Sequence, residues 1–425
     1  MIKNYLLLLN IVFFSLSGFS QIWGPQATEV EYSYVTTFQI PADSDESTDR
    51  ERAEFHASHL FGIFHSPTLI KKFKLDPNLV GGLGGARSPS KIKILASTLV
   101  AQNTLEIKYQ NQGRMILHSS VAEQILKTGK FTVPMPSNPY SIYNPDCTDE
   151  HYNSFGDYWY FYDIFKSDCK YLSQAPYAIK TEIQFKSVTP HSKTNLTQMP
   201  ILRGDNGNGS IFSIAVIQGF ADSKNDPEDS GRINFKDTND YFLSMGFELT
   251  KLKSKTAYPL YLFTKEITLD NGQTIQVEIK HLLVETAMES KSKVFAEFFK
   301  DAVYNADVII YGGHSGLGGN LDIPSLEQKV GELKFNHNKK QIFFFDSCSS
   351  YSYYLQHFGK EKTKSKIDIM TNGLSSYFHT SQLTFKTFMK YLLSEKNKNF
   401  TWQEILTDME SVLDGETYLL NVGGI

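Results

Sequence analysis

ADVIIYGGHSGLGG (306–319) and, after a connecting segment, KKQIFFFDSCSS (339–350) share one design. Each is an apolar run that ends abruptly in small residues around one reactive side chain, His314 in the first and Cys348 in the second. Short β-branched and aromatic runs without alternation, closed by Gly or Ser, predict strands buried on both faces of a sheet. The segment 324–331 (PSLEQKVG) between them suits a short crossover helix. Parallel strands require such a crossover, and its hand is almost always right. Neighbouring strand axes lie about 4.8 Å apart. His314 and Cys348 would then project together from the carboxyl edge of the sheet, where open α/β folds bind their ligands. A His and a Cys within reach of each other can act as general base and nucleophile.

The chain of 425 residues is long enough for two domains. Its 42 basic and 46 acidic residues give a formal charge of −4. That balance, with no basic stripe of interleaved aromatics, argues against a nucleic-acid partner. Residues 1–4 form a short positive region, 5–16 an apolar one, and Gly18-Phe19-Ser20 supplies small residues at the usual cleavage positions. The expectation is a signal peptide over 1–20, cut before Gln21, and export to the periplasm or beyond. That apolar run is too short to span a bilayer comfortably and no later one qualifies, so stable membrane insertion is not expected. Cys147 and Cys169 lie close together and fit a disulfide in an oxidising compartment, which leaves Cys348 as the odd thiol. Its bland alternative is a small buried apolar residue.

Residues 21–205 read as an α+β N-terminal domain. A strand is expected at 31–40 and a helix at 47–64. A meander is expected over 92–99, 104–109 and 114–118, turning at Asn111-Gln112-Gly113, with a further strand at 177–188. His56, His59 and His65 recur at helical spacing, but no acid or thiol completes a metal set, so exposed or core histidines are expected and no metal. The aromatic and acidic segment 146–163 suits either a binding groove or a disulfide-tied hairpin. Gly81–Gly85 is a flexible turn, not a phosphate loop. The polar, Gly-rich 202–209 marks the boundary. From 206 to 425 the order is strand, helix, strand, hairpin around Asp270-Asn271-Gly272, helix, His strand, helix, Cys strand, strand at 367–370, and helices at 382–393 and 402–413. Such alternation indicates an α/β sheet covered on both faces. The lysine-rich 359–366 reads as a solvated loop.

On VIIYGGHSG (308–316), IFFFDSCSS (342–350) and MGFEL (245–249), the segment 210–413 resembles the caspase-like (clan CD) cysteine peptidases, the fold of caspases, legumains, gingipains and clostripain-like enzymes. The resemblance covers roughly half the chain. It implies an exported bacterial cysteine peptidase acting on polypeptides without metal or organic cofactor. Cys348 would be nucleophile and His314 general base and acid. The amide of Cys348 and one near His314, among Gly313, Ser315 and Gly316, would form the oxyanion hole. Asn372, Ser375 and Ser376 would line the substrate pocket, and 359–366 would lie where relatives are often processed. Ser315 stands where the family has Gly, and the caspase form Gln-Ala-Cys-Arg-Gly is absent.

Two other readings use the same residues. An altered His block is also what an inactive, binding-only relative would show, its activity then residing in the aromatic N-terminal half. Gly313-His314-Ser315-Gly316 also resembles the Gly-x-Ser-x-Gly elbow of serine hydrolases, with Ser315 attacking and His357 or His379 as base, although the fifth position is Leu317.

Overall fold

The computed structural model describes residues 22–142, 147, 163, 166, 169, 172–189, 211–252, 258–287, 292–316, 321–398 and 400–423. The expected leader 1–20, most of 146–163 and the boundary at 202–209 lie outside them. The first part runs β1 (Ile22–Trp23), β2 (Ala27–Pro41), α1 (Asp49–Phe64), α2 (Pro67–Lys72), β3 (Gly84–Ala86), β4 (Lys91–Ala101), β5 (Thr104–His118), α3 (Ser119–Thr128), β6 (Lys130–Pro136) and β7 (Ala178–Ser187). The second part begins with β8 (Ile211–Gly219), α4 (Ser230–Ser244), β9 (Glu248–Lys251), β10 (Leu260–Thr268), β11 (Thr274–Val284) and α5 (Lys293–Asn305). It continues with β12 (Val308–Gly312), α6 (Ile323–Val330), β13 (Gln341–Asp346), α7 (Ser350–Tyr353), α8 (Leu355–Gly359), β14 (Ile367–Thr371), α9 (Phe378–Leu392), α10 (Trp402–Ser411) and β15 (Asn421–Gly423).

Among the described residues the larger sheet has nine strands in the order β1-β15-β14-β13-β12-β8-β11-β10-β9. Its centre, from β14 to β11, is parallel, and both edges are antiparallel. The period of two along each strand explains the unbroken apolar runs. Val308, Ile310, Ile342 and Phe344 enter the core with Phe388, Trp402 and Ile405 of α9 and α10. Ile309, Tyr311, Phe343 and Phe345 enter the other, with Phe295 and Phe299 of α5, Leu326 of α6 and Phe358 of α8. Helices therefore cover both faces.

The smaller sheet is antiparallel, β3-β5-β2-β7-β6 with β4 also beside β5. Its core packs against α1 and α3 and holds the Cys147–Cys169 disulfide. The helix α1 begins where Thr48 and Glu51 form a capping box, each satisfying the other's free amide. β1 does not join this sheet: Ile22 pairs with Val422 in the larger one.

Three expectations change. Asn111-Gln112-Gly113 is no turn but the middle of the 15-residue β5, opposite Tyr34, Ser33 and Tyr32. The glycine serves close packing, since a Cβ on Gly113 would lie 3.0 Å from the Tyr32 hydroxyl. The hairpin turns instead at Gln102-Asn103, where Asn103 donates to Asp43 at 2.6 Å. Gly84 and Gly85, expected in the flexible turn Gly81–Gly85, instead begin β3, which pairs with β5. In the loop 359–366, Lys362 is buried and bonds the carbonyl of Lys339 at 2.6 Å and the Gln341 side chain, clamping the loop to the amino-terminal end of the sheet. His56, His59 and His65 are all buried in or beside the small core. Among the described residues, no group of three or more His, Cys, Asp or Glu is placed to hold a metal, and no helix is long and apolar enough to cross a membrane.

Candidate active site

β12 and β13 are parallel neighbours with Gly312 opposite Asp346. His314 and Cys348 each lie two residues beyond that pair, so both leave the same edge at the same level. The next strand on the His side, β8, ends beside them, and the loop that follows it supplies the carbonyl of Ala221, which lies 2.7 Å from His314 Nε2. A carbonyl only accepts, so Nε2 carries the proton and the lone pair of the neutral ring is on Nδ1. The His314 amide donates to Thr286 Oγ1 at 3.2 Å, and its carbonyl accepts from the Tyr311 hydroxyl. Neither Ala221 nor Thr286 belongs to a recognisable motif; each reaches the site because β8 and β11 end at the same edge.

Cys348 is the free cysteine and is partly exposed. Its sulfur lies 3.6 Å from the Ser376 carbonyl. Burial pushes the thiol up; hydrogen bonds from the Ser376 backbone and the Ser375 and Ser376 side chains oppose this, and the nearby Asp346 adds to it. The resting thiol is thus protonated at neutral pH. The sulfur and the imidazole each have another partner and share no hydrogen bond among the described contacts. Catalytic pairs in unliganded sites are often loose in this way.

The other residues singled out from sequence surround this pair. Ser315 donates its hydroxyl to the Cys348 carbonyl, tying the His block to the Cys block. Gly316 donates its amide to the buried Tyr354 hydroxyl at 3.0 Å. Gly313 lies against Thr286, where a Cβ would come within 2.6 Å of Oγ1. Asn372 is fully buried under the sheet end. Its side chain donates to Asp346 at 2.9 Å and its amide to Ser350 Oγ at 2.8 Å, so it braces the Cys turn rather than lining an open pocket. Burial pushes the Asp346 carboxyl up to about 7, against hydrogen bonds from Asn372 and Thr384. Beside His314 opens a cleft of about 680 Å³ lined by Phe220, Tyr258, Glu285, Thr286 and Lys293. On its wall the Lys224–Glu285 ion pair spans 3.1 Å and the Tyr258 hydroxyl also donates to Glu285.

No protein-family model matches the chain, and no curated protein does. Chains of solved structures do, 21 of them. One is a secreted C11 cysteine protease from Bacteroides thetaiotaomicron, "iotapain", at 9% identity and a TM-score of 0.23. The alignment covers 39% of this chain and 53% of that one, so the chain spans about half the length of that structure. A likeness this slight carries no chemistry across. What the site can do rests on its own geometry.

The serine-hydrolase reading fares poorly against that geometry. The elbow of such enzymes enters a helix at once. Here Ser315 and Gly316 are not helical and α6 begins only at Ile323, while 317–320 lie outside the described residues. His379 sits on the exposed start of α9, 3.4 Å from Glu416.

Proposed function

We propose that the protein is a cysteine endopeptidase of the caspase-like kind, exported behind its N-terminal leader, with Cys348 as nucleophile and His314 as general base and acid. The supporting observation is the pairing of strand ends. A thiol and an imidazole whose basic nitrogen is fixed by the Ala221 carbonyl sit at one level on adjacent parallel strands. In the reaction, His314 Nδ1 takes the thiol proton as sulfur attacks the scissile carbonyl. The tetrahedral intermediate collapses as the same proton passes to the leaving amine. Water, deprotonated by Nδ1, then attacks the thioester carbonyl, and the acid product leaves as Nδ1 returns that proton to the Cys348 sulfur. The Cys348 amide makes no hydrogen bond to a described residue and suits an oxyanion donor. The amides of His314 and Gly316 are engaged, which narrows the choice of a second donor. The intramolecular disulfide agrees with export.

The deciding experiment is the pH profile of Cys348 alkylation by iodoacetamide, followed by peptide mass spectrometry, in the wild type and in His314→Ala. A working pair predicts slower labelling and a profile moved to higher pH without the imidazole. Identical profiles in the two proteins would remove the dyad and favour a binding-only protein.

Ser315→Ala separates the two enzyme readings. Losing one hydroxyl bond to the Cys348 carbonyl costs about 1 kcal/mol, so peptide hydrolysis should fall by roughly tenfold or less. Loss of all turnover, with Cys348→Ala still active, would make Ser315 the nucleophile.

A further inference from the structure

Cys348 begins a turn that the sequence cannot hold by itself. Ser349, directly after it, has φ of 49°, a left-handed conformation that costs a non-glycine residue about 1–3 kcal/mol unless its surroundings impose it. The helix that follows, α7, has four residues and no side-chain cap. A helix that short has no stability of its own, so tertiary contacts must place it. On one side they come from the larger sheet: Ser349 donates to the Leu374 carbonyl and Tyr351 to that of Asn372, each at 2.9 Å. On the other side they come from the N-terminal part of the chain.

Glu29 of β2 is 1% exposed and accepts three charged or polar donors. Arg87 binds one carboxylate oxygen, Arg114 the other at 3.2 Å, and the Tyr351 hydroxyl joins Arg87 at the first oxygen at 2.7 Å. The Arg87 guanidinium also lies 5.2 Å from the centre of the Tyr351 ring, and the Ser88 amide donates to the Ser352 carbonyl at 2.9 Å. A buried carboxylate with two guanidiniums is costly to desolvate and adds little net stability, whereas it fixes geometry strongly because none of its members tolerates losing a partner. Here the fixed point is Tyr351, three residues beyond the nucleophile.

We propose that Glu29 is a positioning residue for Cys348: with Arg87 it grips the Tyr351 hydroxyl, so that the smaller sheet holds the nucleophile turn in its working conformation. The N-terminal part is then an integral half of the active site rather than a detachable pro-segment or platform. This rests on the reading of Cys348 as the nucleophile. Glu29→Gln leaves the buried Arg87 guanidinium without its counter-charge, and Arg114 with Glu31 alone at 3.5 Å, and so endangers folding. Tyr351→Phe is the sharper variant, because it cuts the link while keeping the ion pairs and the ring. Tyr109→Phe is the matched control. It removes another buried hydroxyl of the small core, 2.7 Å from His56, remote from Cys348.

The expected result for Tyr351→Phe is a kcat lower by about 10- to 100-fold, the value of a hydrogen bond to a charged group. KM should change little, and the alkylation profile of Cys348 should shift, while Tyr109→Phe lowers thermal stability with wild-type kcat and alkylation. Wild-type kcat and alkylation in Tyr351→Phe would overturn the proposal. So would an equal loss in Tyr109→Phe, which would mean general loosening. If His314→Ala leaves alkylation unchanged but Tyr351→Phe alters it, the His314–Cys348 dyad fails, while the coupling of the smaller sheet to the Cys348 turn stands.

Discussion

Replacing His314 by alanine is expected to lower kcat/KM for peptide hydrolysis by about 10²–10⁴-fold, the range over which a positioned general base acts. The size follows from the state of the thiol. Burial pushes Cys348 up, so the resting sulfur is protonated at neutral pH and is no nucleophile until a base removes its proton. The imidazole at the end of the neighbouring strand is suited to do so because the Ala221 carbonyl holds its proton on Nε2 and leaves Nδ1 basic. The same group must return that proton to the leaving amine, so its removal damages both halves of acylation. The check is kcat/KM on a mixed peptide library, with Cys348→Ala as the inactive reference. A His314→Ala protein within tenfold of wild type would show that another group activates the sulfur.

The second large effect is on stability, and it is specific to acid. His56, His59, His65 and His281 are buried, and burial lowers them to about 3, 4, 4 and 3. A base whose folded pKa is depressed contributes stability that is present above its unfolded value, near 6.5, and lost as pH falls toward the folded one. Lowering a pKa by one corresponds to about 1.4 kcal/mol. One such imidazole thus accounts for about 3 kcal/mol by pH 4, and a few together rival the roughly 5–15 kcal/mol of a whole domain. Asp346 and Glu410 act oppositely, because burial raises both to about 7. Their contribution is present below their unfolded values and lost as pH rises through 7. Being two against four, they blunt the acid limb without reversing it. Thermal unfolding from pH 7 to 4.5 should show midpoints falling steeply below about pH 6, in keeping with the histidine values. A flat profile would contradict the buried, neutral histidines. In His281→Phe, which keeps the packing on Phe235 and gives up the 2.8 Å bond to Asn239, proton uptake on acid unfolding should drop by about one.

The runs VIIY and IFFF, each closed by small residues, suffice to place His314 and Cys348 at the carboxyl ends of two buried strands. Periodicity along a strand is a local property, and a run apolar on both faces leaves few alternatives to a central parallel position. The Asp270-Asn271-Gly272 hairpin was legible for the same reason, its turn chemistry lying in adjacent residues, and Gly272 has the expected positive φ of 84°. Asn111-Gln112-Gly113 carries the same local signal and misleads, because what made Gly113 necessary is the Tyr32 ring on another strand. Other features required the tertiary structure. The carbonyl that fixes the His314 tautomer comes from 93 residues away, and the carboxylate that grips Tyr351 from 322. Contacts over such separations leave no periodic trace in the sequence. They exist only once strand order has brought β8 beside β12 and packed β2 against the turn after Cys348.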